Sequence, residues 1–157
     1  MDDIRVRPAR QDDAEDRAFL NAMAPRLETG MPPWIPSGRL AAAVERSVLG
    51  AFEAQRDGEI ILVAEDAHGR RLGFVYAVSS RENLVAEPRC HISELAVAVD
   101  AEGRGVGRAL LDAVEQWARA QGLGAISLEV FWGNTHARAV YEHLGYQPNV
   151  LHLRKRL

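Results

Sequence analysis

The stretch from Val99 to Gly122, VDAEGRGVGRALLDAVEQWARAQG, is the most informative segment of the chain. It places Gly103, Gly105 and Gly107 at alternate positions, and a helical pattern follows directly. Backbone N–H groups at the start of a helix bind anions, so this arrangement predicts a phosphate site. The alternative is a glycine-rich loop without a ligand, which would cost conformational entropy for no packing gain visible in the sequence.

Two common phosphate motifs do not fit this segment. A P-loop needs Lys and then Ser or Thr after its last glycine, but Arg108 and Ala109 follow Gly107. The dinucleotide fingerprint needs a different glycine spacing in the first strand-helix-strand unit, whereas these glycines follow several predicted strands. What remains is a strand, a glycine turn and an amphipathic helix. The apolar face of that helix comprises Val106, Leu110, Val114, Trp117 and Ala118.

Composition limits the class of protein. The 157 residues, 47% hydrophobic and 26% charged, are typical of one globular domain spanning residues 1–157. The net charge of −3 argues against a nucleic-acid partner, and no apolar run is long enough to cross a membrane. The polar, acidic N-terminus does not resemble a signal peptide. Cys90 is the single cysteine, which favours a reducing, cytoplasmic setting.

Periodicity predicts an α+β domain whose mixed sheet carries helices on its faces. A hairpin signal lies between the second and third strands, and Ser37 is the predicted cap of the second helix. Strands are predicted over residues 4–9, 59–66, 71–80, 91–99, 124–131 and 149–157, and helices over residues 11–27, 38–55, 105–121 and 134–145.

The fourth predicted strand changes phase. Leu95 and Val97 share one parity, and Ile92 has the other. A β-bulge near Ser93 and Glu94 would explain the change and would leave backbone groups unpaired. Alternatively, Ile92 packs under a helix on the other face of the sheet.

Two segments together resemble the GNAT superfamily of acyl-CoA-dependent N-acetyltransferases. Residues 102–107, EGRGVG, match the signature Arg/Gln-x-x-Gly-x-Gly/Ala that cradles the coenzyme A pyrophosphate in that family, except at Glu102. Residues 133–146, GNTHARAVYEHLGY, match the second family block at Asn134, Ala137, Tyr141, Gly145 and Tyr146. The resemblance implies a three-layer domain with a mostly antiparallel sheet, splayed at the fourth and fifth strands. The Glu102 side chain is expected to turn to solvent.

The resemblance also implies contacts with acetyl-CoA. The backbone of Leu95, Ala96 and Val97 would pair with the pantetheine arm. Asn134 has two interpretations, a helix N-cap and a hydrogen bond to that arm. The pyrophosphate would be held at the glycine turn, by backbone N–H groups and by two arginines. The residues of this turn are Gly103, Arg104, Gly105, Val106, Gly107 and Arg108.

The implied reaction is direct attack of a primary amine on the acetyl-CoA thioester, in a ternary complex and without a covalent enzyme intermediate. Tyr141 is the candidate general acid for the leaving thiolate, although its ring also fits a core position. Glu94 is the candidate base, and His91 is the alternative. Cys90 is interpreted as a buried apolar residue, and no metal site is expected. The alternative function is a non-catalytic acyl-CoA-binding sensor. The observation that favours it is the departure from the family signature at Glu102.

The acceptor side is less determined by the sequence. Glu28 and Trp34 in the loop of residues 28–39, together with Tyr76 on a strand, are the candidate acceptor contacts. The polar segment of residues 81–89 is a further candidate. The acidic charge suits a cationic amine, either a small molecule or a peptide or protein amine. Homodimers also occur in the family that the sequence resembles.

Overall fold

The structure, a computed structural model, describes residues 3–82 and 86–157. Residues 83–85 of the candidate acceptor segment lie outside the described residues. The strands are β1 (Arg5–Pro8), β2 (Glu59–Glu65), β3 (Arg71–Arg81), β4 (Pro88–Val97) and β5 (Ile126–Leu128). The α-helices are α1 (Ala14–Met23), α2 (Arg39–Ala54), α3 (Val106–Ala120) and α4 (Thr135–His143), and short 3-10 turns cover Ala24–Glu28 and Val99–Ala101.

The described strands form one mixed sheet in chain order. Strands β1 to β4 pair antiparallel, and β5 pairs parallel to β4. The β4–β5 pairing covers only Cys90 to Ile92, so β4 continues beyond it without β5 as a neighbour. The predicted α+β class and the splay at the fourth and fifth strands are therefore confirmed.

Each face of the sheet has its own core. Helix α3 packs on one face through the predicted apolar stripe, of which Val106, Leu110 and Val114 are at most 1% exposed. Helices α1 and α2 pack on the other face, around Phe52 and Phe74. We call these the α3 face and the α2 face.

A β-bulge in β4 assigns its side chains to the two faces. Tyr76 of β3 pairs with Glu94, and the next residue, Ala77, pairs with Ile92, so Ser93 is the extra residue. Ile92 and Leu95 consequently both pack on the α3 face although they lie three positions apart. The bulge interpretation is confirmed, and the alternative that Ile92 packs on the other face is wrong.

A buried ion cluster fastens α1 to the sheet. The Arg7 guanidinium donates to both carboxylate oxygens of Asp16, at 2.7 and 2.9 Å, and Arg71 donates to the same carboxylate at 3.0 Å. Burial alone would raise the pKa of Asp16, but the hydrogen bonds from Arg7, the Arg10 backbone and Arg71 outweigh burial and hold that pKa at about 2. The cluster therefore holds the start of α1 against β1 and β3.

Several sequence predictions need correction. Residues 149–157 form no strand, because β5 has only three paired residues and offers the chain end a very short edge. Ser37 does not cap α2; Gly38 is the N-cap and the Glu28 carboxylate accepts hydrogen bonds from the Gly38 and Ala41 backbones. The first helix stops at Met23, since Pro25 lacks the N–H that a longer helix needs.

Candidate active site

The glycine turn forms the start of α3. Gly103 and Gly105 have φ values of 73° and 84°, a region that other residues rarely adopt. Gly105 is the N-cap of α3 and provides no side-chain cap, and the first turn of the helix contains no acidic residue. A Cβ atom added to either glycine would have no neighbour within 4 Å. The start of α3 is therefore uncapped and has free space beside its glycines, as an anion-binding turn requires.

The end of β4 has a backbone edge beside that turn that β5 does not cover. The Ala98 N–H donates to the Leu72 carbonyl at 2.8 Å, which fixes the alternation of the antiparallel ladder. By that alternation, the backbone of Ala96 points toward β3, and the backbones of Leu95 and Val97 point to the opposite side, where the Val97 carbonyl accepts a hydrogen bond from the Arg26 Nε atom at 3.2 Å. Val97 also lies next to the turn, with its Cγ2 atom 3.8 Å from the Cβ position of Gly107. This edge could accept an extended ligand as an added strand.

Glu94 lies on the α2 face, opposite Tyr76 in the neighbouring strand. Its Oε2 atom is buried and has no hydrogen-bond partner, and burial raises the pKa of this carboxyl group to about 7. A carboxylate that titrates near neutral pH is suited to accept a proton from an ammonium or amine group.

Tyr76 is deeply placed beside a second carboxylate. It is 7% exposed, and burial together with Glu59 raises the pKa of the phenol to about 12. The phenol hydrogen-bonds Glu59, whose Oε2 atom is buried and without a partner. Glu59 was not predicted from the sequence as a site residue. Strand alternation could have identified it: Ile61 pairs with Tyr76, and Glu59 lies two residues before Ile61 in β2, so Glu59 lies on the same face as Ile61.

His91, the alternative base, hydrogen-bonds across to β5. Its Nδ1 atom lies 3.0 Å from Ser127 Oγ. Burial and the nearby Arg89 lower the pKa of the imidazole. His91 pairs with Val78 of β3 and so lies on the α2 face, where Glu94 also lies. The two candidate bases therefore belong to the same side of the sheet.

Tyr141 lies on the other side. Its ring packs against the α3-face core and makes an edge contact with Tyr146, with ring centroids 5.6 Å apart. Burial raises the pKa of the Tyr141 phenol. The predicted base, Glu94, and the predicted acid, Tyr141, thus lie on opposite faces of the sheet. The pairing of β4 with β5 ends at Ile92, two residues before Glu94. The core interpretation of the Tyr141 ring is confirmed.

The turn before α4 is held by a close backbone contact. Asn134 caps α4, with its side chain accepting from the Ala137 N–H at 3.2 Å, so the N-cap interpretation is confirmed. A Cβ atom on Gly30 would lie 2.2 Å from the Asn134 nitrogen, and one on Gly133 would lie 2.7 Å from the Gly30 carbonyl. The loop of residues 28–39 is therefore packed directly on the start of α4.

The two acceptor candidates in that loop differ in their surroundings. Glu28 is occupied by the start of α2, because its carboxylate accepts from Gly38 at 2.9 Å and from Ala41 at 3.0 Å. These backbone donors lower the pKa of Glu28. Trp34 is 47% exposed. The structure thus gives Glu28 a capping role and leaves the Trp34 ring accessible.

The arginines of the glycine turn also differ. Arg108 is exposed and lies 3.8 Å from Asp112 on the next turn of α3. Arg104 is half-buried within the turn itself. The Glu102 side chain is exposed, as predicted from the sequence, and it also forms an ion pair with Arg26. Cys90 is fully buried, and burial raises the pKa of its thiol to about 11.

Two surface depressions flank the domain. A cavity of about 240 Å³ lies at the α2 face and includes Tyr76 and Glu59 in its lining. A larger polar crevice, of about 450 Å³, lies at the start of α1 around Asp13 and Arg71, away from both sequence motifs. Tyr76, in the lining of the smaller cavity, pairs with Glu94 across β3 and β4.

Within residues 3–82 and 86–157, no helix is both long and apolar enough to cross a bilayer. Nor do these residues include a group of three or more His, Cys, Asp or Glu side chains placed to hold a metal ion.

The fold and the turn define an α+β domain with a splayed sheet and a glycine turn at the start of α3. The chain belongs to the acetyltransferase (GNAT) family, whose model matches residues 26–146. The chain is similar to a mycothiol acetyltransferase of Propionibacterium freudenreichii, with 40% identity over 86 residues, which are 55% of this chain and 27% of that relative. The chain thus spans well under half the length of this curated relative.

Solved structures share the fold. One from Pyrococcus furiosus is 20% identical, covers 99% of this chain and 100% of its own, and has a TM-score of 0.77. Another is the aminoglycoside N-acetyltransferase AAC(6')-Iy in complex with CoA, which is 19% identical, with coverage of 100% and 97% and a TM-score of 0.73.

Proposed function

We propose that this protein transfers an acetyl group from acetyl-CoA to a primary amine by direct attack. The observation that carries the proposal is the backbone edge of β4 at Leu95 and Val97, which β5 does not cover and which ends beside the uncapped N-terminus of α3. An extended arm with a diphosphate at one end, as in coenzyme A, matches these two features in order. Acetyl-CoA supplies an activated thioester carbonyl to the site.

The coenzyme-binding residues follow from this placement. Leu95 and Val97 offer backbone groups to the pantetheine arm, and Ala96 contributes a small side chain. The N–H groups of residues 103–108 and the side chains of Arg104 and Arg108 hold the diphosphate. Asn134 fixes the start of α4 and, in our proposal, also hydrogen-bonds the arm.

The proton transfers involve one residue from each face of the sheet. Glu94 takes a proton from the amine, whose nitrogen forms a bond to the thioester carbonyl carbon. The carbon–sulfur bond then breaks, and Tyr141 donates its phenolic proton to the departing thiolate. Cys90 takes no part, since a fully buried thiol with a raised pKa is a poor nucleophile. The burial of Cys90 thus supports the direct attack that we propose.

The acceptor is, in this proposal, a cationic amine. Glu59, Tyr76 and Glu94 line the α2 face with carboxylate and phenol oxygens, and Trp34 adds an exposed ring on the loop packed against Asn134. Glu28 supports this loop by capping α2. The relatives named for mycothiol and aminoglycosides also act on small molecules, whereas peptide and protein amines stay open as acceptors. A cytoplasmic setting, a single domain and homodimers stay predictions.

A panel of amines with acetyl-CoA tests the proposal, with thiol release as the measurement. We expect release that depends on the amine and saturates with acetyl-CoA. The alternative function, an acyl-CoA sensor, is favoured by the carboxylate at Glu102 and predicts saturable coenzyme binding without amine-dependent release. That result across a broad panel would replace the enzyme by the sensor.

A further inference from the structure

Glu102 occupies a position where a negative charge is unfavourable for the proposed ligand. It precedes the glycine turn directly, at the place where the family signature has Arg or Gln. A carboxylate near a diphosphate repels it, at a cost that falls as the charges are neutralised. The structure shows how this carboxylate is neutralised: it forms an ion pair with the Arg26 guanidinium.

Arg26 reaches the turn from a distant part of the sequence. It belongs to the 3-10 turn Ala24–Glu28, which begins where Pro25 ends α1. Its Nε atom donates to the Val97 carbonyl at 3.2 Å. One guanidinium thus connects the last residue of β4 with the residue before the glycine turn.

The Arg26 guanidinium has N–H donors left for a ligand. Guanidinium carries five such donors. Among residues 3–82 and 86–157, the partners of this guanidinium are Val97 and Glu102, and the side chain is 34% exposed. These partners border the uncovered edge of β4 and the glycine turn, so the remaining donors lie where the arm and the diphosphate of the coenzyme would meet.

We propose that Arg26 is a coenzyme-binding residue, which supplies to the diphosphate the positive charge that the family signature carries at position 102. Glu102 is then a positioning residue, which holds the guanidinium at the turn. This inference rests on the proposed use of coenzyme A. It explains why a carboxylate is tolerated at Glu102: Arg26, which is distant in sequence, places a guanidinium beside the turn where the motif itself has no cation.

Calorimetric binding of coenzyme A and of pantetheine, which lacks the diphosphate, tests the inference. The variants are Arg26→Gln, Arg26→Lys, Glu102→Gln and the Arg26→Gln/Glu102→Gln double variant. Arg17→Gln is the matched control, since Arg17 forms an exposed ion pair with Glu53, at 3.0 Å, between α1 and α2. Thermal unfolding of each variant identifies any loss of folded protein.

We expect Arg26→Gln to weaken coenzyme A binding about tenfold, or about 1.4 kcal/mol, and to leave pantetheine binding within about twofold. Arg26→Lys should retain most of the affinity, because it keeps the charge. In the Glu102→Gln background the loss should shrink, since no carboxylate is left uncompensated.

Two results would overturn the role of Arg26. One is coenzyme A affinity unchanged in Arg26→Gln, and the other is an equal loss for pantetheine, which would indicate a purely structural role. Wild-type protein without saturable coenzyme A binding would instead refute the proposed function itself. The two failures are therefore distinct.

Discussion

Glu94 lies directly opposite Tyr76 across β3 and β4, because Ser93 is the extra residue of a bulge. In a regular strand, Glu94 and Ile92 would share a face because they lie two residues apart, and Glu94 would then face α3, the side on which Tyr141 packs. The bulge therefore separates the proposed base from the proposed acid by the thickness of the sheet. Ligands that bind where β4 and β5 diverge would have Glu94 on one side and Tyr141 on the other.

Replacing Glu94 by Gln should remove the base. With a pKa of about 7, the Glu94 carboxyl loses its proton as the pH rises through neutrality, so wild-type turnover should rise over that range. Glu94→Gln should lower turnover by about 10² to 10⁴-fold and should abolish that rise. Initial rates across pH measure both effects.

His91→Gln is the control for this experiment, because His91 is the alternative base. We expect the neutral-pH rise to persist in His91→Gln. A profile that flattens in His91→Gln and persists in Glu94→Gln would exchange the two assignments.

The substitution Glu94→Gln should also stabilise the protein in alkaline conditions. The pKa of Glu94 is raised from 4.5 to about 7 in the folded chain, so between these values the folded state binds more protons than the unfolded state. Stability from this group is therefore present at low pH and is lost as the pH rises through about 7. We expect Glu94→Gln to increase the free energy of unfolding by about 1–3 kcal/mol above pH 7, with little change below pH 4.5. Urea unfolding at both pH values measures the difference, and an equal change at both would contradict the buried carboxylate.

Tyr141→Phe should retain the fold and lower turnover. The ring packs against the α3-face core and Phe preserves that packing, whereas the proton for the thiolate is lost. We expect a decrease of about 10²-fold or more in kcat, with thermal unfolding close to that of wild type.

Tyr146→Phe is the matched control. The Tyr146 hydroxyl is buried without a hydrogen-bond partner. Its removal should leave turnover intact and keep or raise stability. Loss of turnover in Tyr146→Phe alone would transfer the acid role to Tyr146.

The contact between Gly30 and Asn134 can be tested with alanine. Gly30→Ala places a Cβ atom 2.2 Å from a backbone nitrogen at a φ of +76°, so we expect destabilisation of about 2–4 kcal/mol and weaker coenzyme binding. Gly50→Ala is the control: it lies inside α2 with no atom within 4 Å of its Cβ position, and it should stabilise by about 0.5–1 kcal/mol. Equal stability of the two variants would refute the close packing of this loop.

The elements that sequence periodicity predicts best are those whose pattern comes from burial. Helix α3 and strand β4 follow their apolar patterns, and the phase change at Ile92 predicted the bulge. The strand predicted over residues 149–157 is wrong, because the alternation of a segment does not show whether the sheet has an edge long enough to pair with it. Strand formation depends on the neighbour as much as on the segment itself.

The site was predicted only where its parts are close in sequence. The glycine turn and the Asn134–Tyr141 helix are local motifs and were found directly. Arg26 lies 76 residues from Glu102, and Glu59 contacts Tyr76 across two strands, so no local pattern connects them. Glu28 was predicted for the acceptor, but it caps a helix whose start depends on the fold of the whole loop.

The most direct test of the account follows a labelled acetyl group. Protein is mixed with acetyl-CoA carrying an isotopically labelled acetyl group, first without and then with an amine, and both the protein and the amine are examined by mass spectrometry. Direct transfer predicts that the label stays on the coenzyme until the amine is added and then appears on the amine, at a rate lowered in Glu94→Gln. Label that accumulates on the protein, or that never reaches any amine of the panel, would contradict the account.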